Sequence, residues 1–208
     1  MTTRFTQRLG AAAGIVYAIL LMTAGAVGNP TTRPAFAMEV LAFTLFLFFL
    51  GSLSSAMRLA EGGGGALSTT TFGAGLMSIT IKLGSAAPLL AAHSNSDELG
   101  PDVKVALQDM NNASFALTFF PLAAMLAAFA LVAIRTAALP SWLGWAAAAL
   151  SVGFAVGGLA GSADLASEWA GLPMVLFTAW VIAASVVLIR RAGTSTPLTR
   201  PAGAEVSG

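Results

Sequence analysis

Residues 115–134 read FALTFFPLAAMLAAFALVAI, twenty positions without a single charged side chain. A helix rising about 1.5 Å per residue needs roughly twenty residues to cross about 30 Å of bilayer hydrocarbon, so this stretch predicts a membrane-spanning helix. Its span extends back to residue 103 through a polar opening, and five further apolar runs lie outward from it, at 9–27, 36–57, 67–92, 142–161 and 169–189. Helix breakers punctuate the connectors: Asn29-Pro30 with Pro34, the Gly62 to Gly65 run, Gly100-Pro101 and Leu139-Pro140. None is long enough to fold separately. The expectation is an all-α integral membrane bundle of about six transmembrane helices over residues 1–191. Residues 192–208, rich in Thr, Pro, Gly and Ser, read as a disordered cytoplasmic tail.

Composition agrees. Of the 208 residues 57% are apolar and only 9% charged, with a mean hydropathy of +0.83, too few charges to keep a soluble surface wet. Ten cations offer no basic stripe for nucleic acid, which is excluded as a partner. Lipid is the expected surrounding. With no cysteine there is no disulfide, thiolate metal site or thiol nucleophile, and one histidine gives neither a triad nor a histidine cluster. His93, Asp97, Glu98 and Asp102 match no ligand loop and read as a solvated connector, and Gly62 to Gly65 lack the Lys-Ser/Thr of a phosphate loop. No metal, cofactor or enzymatic activity is expected, although Asp109 and Glu39 are the carboxylates an intramembrane acid-base step would use.

Arg4 and Arg8 before the first run, with Ala24-Gly25-Ala26 after it, also fit a cleaved signal peptide. A run of 19 residues exceeds the usual signal core of roughly 7 to 15, which favours a retained first helix. With a cytoplasmic N-terminus, Arg4, Arg8, Arg58, Arg135, Arg190, Arg191 and Arg200 fall inside, whereas Arg33 and Lys104 fall outside with Asp97, Glu98, Asp102, Asp164 and Glu168. The bias of Lys and Arg toward one side predicts that both chain ends are cytoplasmic.

Small residues let membrane helices approach. Gly10 and Gly14 form one stripe at spacing four, and Gly153, Gly157 and Gly161 another, read as seams within the bundle or as a face for a second copy or a membrane partner. Trp142, Trp145 and Trp169 sit where aromatic rings favour headgroups, while Trp180, in mid-helix, reads as packing.

Ionisable groups in hydrocarbon cost about 2.5 to 3.5 kcal/mol on insertion scales, so they usually turn inward and pair. Thr71, Ser78, Lys82 and Ser85 share one face of the third run. Asp109 lies at similar depth in the fourth, which predicts a Lys82–Asp109 pair, and Gln108, Asp109, Asn111 and Asn112 form one polar side expected to face inward. Glu39 is placed to join, and Thr44 more remotely. Pro88 and Pro121 each remove a backbone hydrogen bond and favour exposed carbonyls. Two readings follow. The cluster is either an ion pair fixing helix register or an outward-facing hydrated pocket for a small polar solute or ion.

The order Leu107-Gln108-Asp109-Met110-Asn111-Asn112-Ala113-Ser114-Phe115, then Phe120-Pro121-Leu122, then Leu139-Pro140-Ser141-Trp142-Leu143-Gly144-Trp145 is similar to small multi-pass membrane proteins of bacteria, a family classed as a domain of unknown function. The resemblance covers about the central third of the chain. It implies a bundle of about six or seven spans in a bacterial plasma membrane and supplies no catalytic residues. The functional choices are a solute-binding or transport protein and an accessory membrane subunit. Inverted repeats of helices one to three on four to six, which rocking transporters often carry, find no convincing match here.

Overall fold

Proline helps to fix where two helices begin. Its ring sets φ near that of a helix and its missing N–H falls where no intrahelical bond is required, so Pro34 opens the second helix one residue in and Pro101 starts the fourth. The computed structural model describes residues 3–26, 33–94, 98–136, 139–163 and 171–194. They form α1 (Thr3–Ala26), α2 (Arg33–Ala60), α3 (Ala66–Ser94), α4 (Pro101–Thr136), α5 (Ser141–Ala163) and α6 (Gly171–Thr194), with no strand among the described residues. Arg58, Arg135 and Arg191 lie in the last turns of α2, α4 and α6, where positive charge complements the carbonyl end of the helix dipole.

The helices close a ring in chain order. Neighbours in sequence are neighbours in space, α3 with α4 and α4 with α5 most extensively, and α1 against α6 completes the circuit. The ring is filled with aromatic side chains. Tyr17 lies 4.7 Å from Phe46, Phe46 lies 5.9 Å from Phe177, Phe177 lies 5.7 Å from Phe154, and Phe154 lies 5.2 Å from Phe119. Trp180 packs edge-on against Phe129 at 4.9 Å and donates its indole N–H to the Leu143 carbonyl at 3.2 Å, satisfying its polar tip inside the core.

The outer surface is apolar too, as lipid requires. Leu9, Phe48, Val152, Leu159 and Leu172 are all more than half exposed. Among the described residues, five helices are long and apolar enough to cross a membrane. α3 falls outside that set, and carries Lys82 and eight hydroxyls. It hides that polarity by turning Ser68, Thr71, Ser78 and Ser85 into the bundle, while the exposed Thr69, Thr70 and Thr80 bond back to carbonyls four residues earlier.

Four of the five stripe glycines meet other helices of the same chain. A side chain at Gly10 would begin 2.8 Å from the Phe48 carbonyl, and one at Gly14 would strike Ser185 and, at 2.6 Å, Phe49. Gly157 and Gly161 face Phe119 and Ala116 of α4, but Gly153 has nothing within 4 Å. It lines instead an apolar cleft of about 610 Å³ between α5 and α6, walled by Trp142, Leu150, Leu176 and Trp180. Residues 192–194 of the expected tail belong to α6, which runs to Thr194, and residues 195–208 lie outside the described segments. So do Asp164, Glu168 and Trp169.

Candidate functional site

The centre of the site is an ion pair between α2 and α3, with Lys82 Nζ 3.2 Å from Glu39 Oε1. The side chains retain 17% and 18% of their full exposure. A third helix contributes an aromatic face, since Lys82 Nζ lies 5.4 Å from the ring centroid of Phe115 on α4, within cation–π range. Phe115 in turn packs edge-on against Phe119 at 5.2 Å, joining the charged pair to the aromatic interior. Ser78 and Ser85 are buried a turn to either side of Lys82, and the Ser85 hydroxyl donates to the Lys82 carbonyl at 2.8 Å.

The expected partner of Lys82 is therefore replaced. Asp109 is exposed, and so is Gln108, which donates through Nε2 to Asn112 Oδ1 at 3.1 Å along the surface of α4. Only Asn111 of that polar group is buried, and its Oδ1 has no hydrogen-bond partner. The reason lies in helix geometry. Residues two apart are separated by about 200°, so once Asn111 turns inward Asp109 must turn out. All residues from Pro101 to Ala106 are exposed as well, so the N-terminal end of this 36-residue helix stands clear of its neighbours. Thr44 is exposed and donates to its own helix at the Val40 carbonyl, outside the cluster. Thr71 sits deeper and reaches the Met125 carbonyl at 3.5 Å. Among the described residues no metal-holding group of His, Asp and Glu occurs; the side chain of His93, and Asp97, lie outside them.

The sequence pattern singles out neither of two further residues. Phe115 reads there as one more apolar residue, and only the packing of α3 on α4 brings it to the lysine. Glu61, in the turn after α2, accepts the Leu67 amide at 2.9 Å and the Ser68 amide at 3.0 Å, capping the start of α3. That role needs the chain reversal that Gly62, Gly63 and Gly65 make with φ of 69°, 119° and 64°, values that disfavour a Cβ. Partial desolvation raises the Glu61 carboxyl, but hydrogen bonds from Ser68 and Leu67, with Arg58 nearby, outweigh it and hold its pKa below the ordinary carboxylate value.

No protein-family profile, curated protein or solved structure matches this chain. The membrane-type helical bundle and its polar clasp thus rest on the chain's own geometry.

Proposed function

We propose that this membrane protein binds a small polar solute at the Lys82–Glu39 clasp, with Asn111, one helical turn before Phe115 on α4, as a further polar group. The observation that carries the reading is the partial opening of the Lys82–Glu39 pair, 17% and 18% exposed at the flank of a lipid-embedded bundle. Charges left uncovered against acyl chains are costly, so an incompletely sealed pair calls for water or a polar guest. Lys82 offers a cation for an anionic oxygen, Glu39 a carboxylate for a donor, and Asn111 an unpaired carbonyl. A solute carrying both signs, or an acid with a hydroxyl or amine, matches this set. The action is binding or passage without covalent chemistry.

The setting we propose is a bacterial plasma membrane, with the clasp facing out and both chain ends in the cytoplasm. Supporting this, Gln7 of α1, Ala60 of α2, Leu139 between α4 and α5, and Arg191 of α6 line one cavity, so these four points gather at one end of the bundle. Arg58 and Arg135 close α2 and α4 toward it, and the bias of cations toward the cytoplasm supports placing that end inside.

A second reading is favoured by the closure of Phe115 over the lysine. In it, the protein is an accessory subunit and the pair only sets the rotation of α2 against α3. Thermal unfolding of purified protein against small organic acids, amino acids and inorganic ions separates the two. At least one solute should raise the melting temperature of the wild type, and Lys82→Met and Glu39→Gln should abolish that rise. If no solute stabilises the protein and Lys82→Met with Glu39→Leu unfolds like the wild type, solute binding is rejected and the accessory role stands.

A further inference from the structure

At the opposite end from the clasp, two cavities meet along Gln7 and Ser52. One, of about 310 Å³, opens among α1, α2, α6 and the α4–α5 turn and includes Arg191 in its wall. The other, of about 660 Å³, is a groove between α1 and α2 walled by Leu9, Ala13, Leu45 and Phe48. Leu9 and Phe48 are 55% and 62% exposed, so the groove faces the hydrocarbon. The shared wall is tied by the Ser52 hydroxyl, which donates to the Gln7 carbonyl at 3.0 Å.

We infer that this pair of cavities is a binding site for an anionic phospholipid, its headgroup beside Arg191 and one acyl chain in the groove between α1 and α2. A soluble anion would fill only the first cavity and an alkyl chain only the second. An amphiphile matches both at once. A second guanidinium strengthens the cationic end: Arg8 Nη2 lies 2.9 Å from where a side chain on Gly193 would begin, which places α1's arginine against the last turn of α6. Along α2 the groove extends from Ser55 to Leu45, ten residues or about 15 Å of helix, a length suited to much of an acyl chain. Gly51 contributes an open stretch of wall, with nothing within 4 Å of the position a Cβ would take.

Purified full-length protein in neutral detergent, titrated with phosphatidylglycerol, phosphatidylcholine or glycerol 3-phosphate and followed by native mass spectrometry and melting temperature, tests this. Phosphatidylglycerol should bind and stabilise the wild type, and the other two should do so far less. Arg191→Gln should weaken phosphatidylglycerol by about fivefold, the effect of one arginine near an anionic surface. Gly51→Leu, whose Cβ would meet nothing within 4 Å and whose side chain would enter the groove, should weaken it comparably while keeping the lipid-free melting temperature. Equal binding of phosphatidylcholine, equal binding of glycerol 3-phosphate, or unchanged affinity in both variants would overturn the inference.

Discussion

The two ends of α2 solve the same problem differently. Near its start Glu39 is met by a full charge, Lys82, whereas just beyond its end Glu61 is met by the backbone amides of Leu67 and Ser68. The difference follows from the surroundings. In the hydrocarbon of the proposed orientation every amide of α3 is already committed to its own helix, so a carboxylate there needs a side-chain cation. At a helix start the first amides have no intrahelical acceptor, and a carboxylate held over them is stabilised without a formal partner.

Removing the cation should break this contrast most strongly. Lys82→Met leaves Glu39 facing a methionine, and unfolding in detergent should show a loss on the order of 3 kcal/mol, as for other inward-facing pairs deprived of one partner. Adding Glu39→Leu should recover most of it. At the other end, Glu61→Ala removes acceptors for two amides and should cost about 1 kcal/mol, measured in the same way. A pH series sharpens the comparison. Because the folded Glu61 pKa is depressed, its contribution is complete above the unfolded carboxylate value and fades as pH falls through the folded one, so the gap between wild type and Glu61→Ala should narrow on acidification. The smallest effect belongs to Asp109→Leu. An exposed carboxylate makes no contact with Lys82, and the change should stay within about 0.5 kcal/mol. A loss as large as that of Lys82→Met would restore Asp109 as the partner.

Much of the site was readable as a cast of residues but not as a set of contacts. Lys82 was marked by its isolation in an apolar run, and Ser78 and Ser85 by helical spacing from it. Depth along the chain put Asp109 forward as the partner of Lys82, with Glu39 only placed to join, but depth says nothing about rotation. Asn111 buried fixes α4's rotation and sends Asp109 outward, leaving Glu39. The glycine stripe at 153, 157 and 161 shows the same limit. Spacing places its members on one face, yet Gly157 and Gly161 meet α4 while Gly153 borders the cleft toward α6, since helices cross at an angle and a stripe leaves one neighbour for another.

What the amino-acid order determined unaided was the helical, membrane-type architecture. Runs of apolar residues long enough for the bilayer are local patterns, and lipid permits few other ways to satisfy their backbones. Only the tertiary structure decided that the helices close a ring through α1 and α6, that Glu39 holds Lys82 under Phe115, and that Glu61 caps α3. Those facts depend on how each helix turns about its axis and which neighbours it meets, and these are set by packing across the whole bundle.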